Sequence, residues 1–108
     1  MTETPKLTGI ARYIEGYPDN EFAVAKFTEL FGLFTPVYMS PSFDQQNDLP
    51  PVLEQASRLI DEMMERFGIR AGCDPVMKQK FITDVGSCGL HARRILEEKL
   101  RALGISDA

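Results

Sequence analysis

The sequence holds only two cysteines, Cys73 and Cys88, and a single histidine, His91, in 108 residues. Two cysteines exclude a disulfide framework, and in a reducing compartment they read as free thiols. Cys73, Cys88 and His91 also fall short of the four ligands, paired at both ends, that a structural zinc site takes, so no metal is expected, nor any cofactor. No apolar run approaches the roughly 20 residues that cross a bilayer, and the N-terminal MTETPKLTG has neither the basic nor the apolar part of a secretion signal. A cytoplasmic protein without membrane contact is the expectation. Convincing strand alternation, an Asn-Gly hairpin, internal repeats and low-complexity tracts are missing too, which argues against sheet and solenoid architectures.

What is present is helical periodicity. Leu53, Ala56, Ile60, Met63 and Phe67 alternate at spacings of three and four, and Val52, Leu59 and Met64 widen the stripe, so residues 49–67 read as a helix with one face to bury. Asn47 or Asp48 suits its cap, Pro50 and Pro51 suit its first turn, and Gly68 suits the left-handed position that closes it. On its outer side, Glu54 with Arg58 and Glu62 with Arg66 stand four apart with the acid first. Leu7, Ile10, Ala11 and Ile14 predict a shorter helix over about 5–15, with Thr4 as cap and Gly16, Tyr17 and Pro18 as its stop. Asp19 caps a third helix over 20–34, rich in phenylalanine, which Gly32 weakens and Pro36 ends.

Residues 35–48 then form a long loop that carries Val37, Tyr38, Met39 and Phe43 between prolines. Asp74 followed by Pro75 opens a helix over 75–85, Gly86-Ser87-Cys88-Gly89 reads as a turn, and a last helix runs over 88–103. A strand over Lys80 to Val85, or one helix spanning 75–103, is the competing local reading. With 44% hydrophobic residues, enough for one core, the chain reads as a single all-α domain, a compact bundle of four to five helices.

The net charge of −4 is uneven. Residues 1–65 carry 4 basic and 11 acidic side chains, and residues 66–108 carry 8 basic and 5 acidic. Such a split biases orientation on a charged partner or simply solvates two faces differently.

Chemistry-bearing residues crowd only into Gly86 to Arg94. Gly89-Leu90-His91-Ala92-Arg93 is similar to the active-site motif of the histidine-containing phosphocarrier of the sugar phosphotransferase system. That resemblance, which covers these five residues, implies His91 as phosphoryl acceptor with Arg93 beside it, although Arg94 stands where the family has proline. Cys88 and Arg94 have the C-x5-R spacing that sets a thiolate and a guanidinium around phosphate. A helix-turn-helix would bury Ile82, Val85, Ala92 and Ile95 and present His91, Arg93 and Arg94 to a nucleic-acid groove.

None of these sets unites a nucleophile, a base and an anion stabiliser, so no catalytic residue is assigned. The favoured reading is a regulatory or inhibitory protein that binds a protein partner, with homodimerisation open, through Tyr38, Met39, Phe43 and Met64. A DNA-binding regulator built on the basic C-terminal third is the alternative, and a small phosphotransfer or thiol enzyme using His91 or Cys88 is the second.

Overall fold

The structure, a computed structural model, describes residue 14 and residues 16–105. Among these residues it contains four helices and no strand: α1 Asn20–Met39, α2 Leu49–Phe67, α3 Pro75–Gly86 and α4 Leu90–Ala102. The helix expected over 5–15 lies, apart from Ile14, outside the described residues. The Lys80 to Val85 stretch is helical, and α3 and α4 are separate helices joined by the expected glycine-bounded turn.

In α1, Asp19 leaves the helix in an extended conformation and its Oδ1 accepts the Phe22 N–H at 3.1 Å. Ala23, Phe27, Leu30, Phe34 and Val37 form the buried stripe. The helix does not stop at residue 34. It runs through Pro36 to Met39, which shortens the loop to residues 40–48.

An interior proline costs about 3 kcal/mol because it removes one hydrogen bond and crowds the carbonyl four residues earlier. Here that carbonyl belongs to Gly32, which shares the exposed side with Pro36 and is free to bond water. Beyond the proline, burial of Val37 offsets much of the cost, since a fully buried aliphatic side chain contributes roughly 1.5 to 3 kcal/mol. The last turn closes with the Ser40 N–H on the Pro36 carbonyl at 3.0 Å.

α2 occupies the span its periodicity predicts, and Gly68 ends it at φ 72°. At its start Asp48 holds the cap position, as expected, but its side chain bonds no N–H of the helix. Pro50 and Pro51 remove two of the donors a cap would satisfy, and Asp48 instead accepts the Asp44 N–H at 3.0 Å. Asp44 organises the loop by accepting from the Asn47 side chain at 2.6 Å and the Gln46 N–H at 2.9 Å. These bonds, that of the Asn47 amide foremost, hold its carboxyl below the ordinary range.

The Glu54–Arg58 pair forms at 3.2 Å, but the expected Glu62–Arg66 pair does not. Arg66 reaches Asp19 at 2.7 Å and lies over the Phe22 ring at 4.1 Å, while Glu62 meets Lys26 at 3.2 Å. Partners across helices displace the local one.

Helix α1 packs on α2, α2 on α4, and α4 on α3. The centre is aromatic: the Tyr17 ring lies 4.4 Å from Phe67 and 5.7 Å from Phe27, and Phe81 lies within 6.0 Å of both phenylalanines. Such pairs contribute about 0.5 to 1.5 kcal/mol each beyond area burial.

Candidate functional site

Extending α1 through Pro36 places Tyr38 and Met39 on a rigid last turn rather than in a loop. Tyr38 is 52% exposed and Met39 75%. Phe31, two helical turns before Tyr38 and on the same side, is 44% exposed.

The end of α1 meets the start of α4. Gly89 precedes α4 at φ 141°, ψ 161°, a backbone region that only glycine populates readily. The Tyr38 ring rests on it: a Cβ added at Gly89 would stand 3.0 Å from Tyr38 Oη and 3.1 Å from Cε2. His91, in the first turn of α4, lays its imidazole nearly parallel to the Tyr38 ring at 6.0 Å and 19° and to the Phe34 ring at 6.1 Å and 16°. Phe34 is buried beneath, so the core fixes Phe34, Phe34 and Gly89 position His91 and Tyr38, and the outer edge of Tyr38 faces water. Leu90, next to Gly89 in the chain and first in α4, is 61% exposed.

The structure thus unites two sets of candidates that are far apart in sequence, the aromatic end of α1 and the Gly89–His91 segment. It separates others from them. Phe43 is partly buried against the core and is not part of the open surface. Met64 is 6% exposed and cannot present a partner surface, because α2 buries both edges of its broad face, Leu59 included.

The thiolate reading fails on burial. Cys88 is buried with its Sγ 3.8 Å from the Asp84 carbonyl, and burial, with a smaller effect of the Asp84 carboxylate, pushes its thiol up to about 12. A buried neutral thiol is a poor nucleophile. Cys73, Cys88 and His91 do not converge either, since no group of three metal-ligating side chains occurs among the described residues.

Beside His91, Arg93 and Arg94 are both exposed, and Arg93 pairs with Glu97 at 3.0 Å. Ile82, Val85 and Ala92 are buried and Ile95 half-buried, as a helix-turn-helix pairing requires. The outer side of α4, however, alternates Arg93 and Arg94 with Glu97 and Glu98, which weakens it as a phosphate-binding face.

A second polar cluster went unread in the sequence. Tyr17 Oη donates to Asp84 Oδ2 at 2.5 Å, and Lys80 Nζ sits 3.3 Å from the same oxygen. Burial foremost, then the hydrogen bond to Asp84, raises the Tyr17 hydroxyl above its ordinary range. The i, i+4 spacing of Lys80 and Asp84 was a visible signal, but the tyrosine comes from 67 residues away. No described helix is long and apolar enough to cross a membrane. Compared with known protein families, with curated proteins and with solved structures, the chain matches none.

Proposed function

We propose that this chain acts by binding a protein partner through the apolar surface where α1 ends and α4 begins, in a regulatory or inhibitory role rather than a catalytic one. The observation that carries the reading is the seating of Tyr38. It is half exposed, yet its ring is held by Gly89 and His91, with Phe34 beneath His91, and Met39, Leu90 and Phe31 are exposed on the same two helices. An aromatic side chain that is fixed before binding loses little rotamer freedom on contact, which is the property of an interface anchor. Exposed apolar side chains clustered around such an anchor are a common feature of binding surfaces. The burial of Cys88 and the engagement of Arg93 by Glu97 weigh against thiol chemistry and phosphotransfer.

The test is the double substitution Tyr38→Ala with Met39→Ala. Partner capture, or self-association measured by sedimentation if the partner is a second copy, is expected to weaken at least about tenfold, equal to about 1.4 kcal/mol, while the variant stays folded and loses no more stability than the about 0.5 to 1.5 kcal/mol of the Tyr38 ring contacts. Undiminished binding in a folded variant contradicts the proposal. A salt-dependent gel shift on DNA that His91→Ala and Arg94→Ala abolish would favour the nucleic-acid reading instead.

A further inference from the structure

The charge around the Tyr38 anchor has one sign. Residues 30–43, which include Tyr38 and Met39 at the end of α1, carry no acidic side chain and no lysine or arginine. Residues 85–96, which supply Gly89 and His91, carry two arginines and no acid.

One of those arginines is free to meet a partner. Arg93 is held by Glu97 at 3.0 Å, whereas Arg94 is exposed and its guanidinium has no acidic partner among the described residues. Glu98, four residues on and also exposed, does not pair with it. Arg94 follows His91 by three residues, so the two side chains leave neighbouring points on the α4 surface, with Cβ atoms about 5 to 6 Å apart. Since the His91 ring lies 6.0 Å from that of Tyr38, the free cation borders the aromatic anchor.

A single free guanidinium suits a carboxylate better than a nucleic-acid backbone, because binding to nucleic acid neutralises several phosphates together. Protein interfaces combine the two elements found here: aromatic and methionine side chains are buried at the centre, and arginine takes a carboxylate in a forked pair.

We infer that the partner of the surface at the end of α1 and the start of α4 is an acidic protein segment, one that seats an apolar side chain against Tyr38 and Met39 and brings an aspartate or glutamate to Arg94. This rests on the reading of that surface as a partner's seat. The anchor supplies affinity, and the Arg94 charge selects orientation and excludes basic segments.

A displayed library of random peptides, selected on the full chain, tests this. Peptides that lose binding in Tyr38→Ala with Met39→Ala are expected to carry Asp or Glu beside an apolar residue and to bind at least about fivefold more weakly to Arg94→Glu at low salt. Arg94→Gln, which removes the cation without adding an acid near Glu98, should fall between the two. Selection repeated on Arg94→Glu should favour Lys or Arg in place of the acids. Tyr38-dependent peptides that are neutral or basic, or that bind Arg94→Glu as tightly as the parent, would overturn the inference and leave the surface itself standing. Failure to select any Tyr38-dependent peptide would overturn both. A DNA duplex whose binding falls with Arg94→Glu but ignores Tyr38→Ala would assign the cation to nucleic acid and overturn the acidic partner.

Discussion

Gly89→Ala is expected to be costly for two separable reasons. The first is backbone strain: at φ 141° and ψ 161°, an L side chain costs on the order of 1 to 3 kcal/mol. The second is Tyr38, whose ring would meet the new Cβ at 3.0 and 3.1 Å and must swing off His91, forfeiting ring contacts of about 0.5 to 1.5 kcal/mol. The sum is about 1.5 to 4.5 kcal/mol, a large share of the roughly 5 to 15 kcal/mol that stabilises a domain. Urea denaturation followed by circular dichroism reads it directly in a chain without tryptophan.

A double-mutant cycle separates the two causes. In Tyr38→Ala with Gly89→Ala the ring is gone but the backbone strain remains, so the pair should be about 1 kcal/mol less destabilised than the sum of the single variants. Strict additivity would mean that Tyr38 is not seated on Gly89. A Gly89→Ala variant within about 0.5 kcal/mol of the parent would refute the turn geometry itself.

Two further outcomes bear on the fold. Pro36→Ala restores the amide that Gly32 lacks and should stabilise the protein by about 1 to 3 kcal/mol in the same urea assay; a neutral or destabilising result would place Pro36 outside a helix. Cys88 bears on pH dependence. Its folded-state pKa of about 12 lies above the ordinary value of 9.0, so the neutral buried thiol contributes stability fully below pH 9 and loses it as pH rises toward 12. The unfolding free energy should fall by up to about 1.4 kcal/mol per pH unit across that window, and Cys88→Ala should remove the decline between pH 9 and 10, before Tyr17 contributes a loss of the same sign. An unchanged alkaline profile would mean that the thiol is not buried.

The legible parts of the fold are those where local chemistry and tertiary packing agree. Pro50, Pro51 and Gly68 bracket a stripe that the core accepts without change, so the span of α2 follows from its own residues. Pro36 shows the opposite case. The rule that a proline ends a helix is local, and it yields when the orphaned carbonyl faces water and Val37 beyond it reaches the core. The Glu62–Arg66 pairing fails for a similar reason, because Phe22 and Asp19 on another segment offer Arg66 both a ring and a carboxylate. Tyr38 and Met39 were readable as exposed apolar residues. Their seat was not, since it depends on a glycine and a histidine some 50 residues away that only the packing of the helices brings under the ring. Met64 misled because a wide helical stripe does not reveal which of its edges a neighbouring helix will cover.

The central claim is that the Tyr38, Met39 and Leu90 surface is where a protein partner sits. Its most direct measurement is photocrosslinking from benzoylphenylalanine placed at Met39, compared with the same group at exposed Glu54 on the outer side of α2. One discrete crosslinked species from position 39, missing from position 54 and lost on Tyr38→Ala, is the predicted result. Equal crosslinking from both positions, or none from position 39 in cells that express the folded protein, would contradict it.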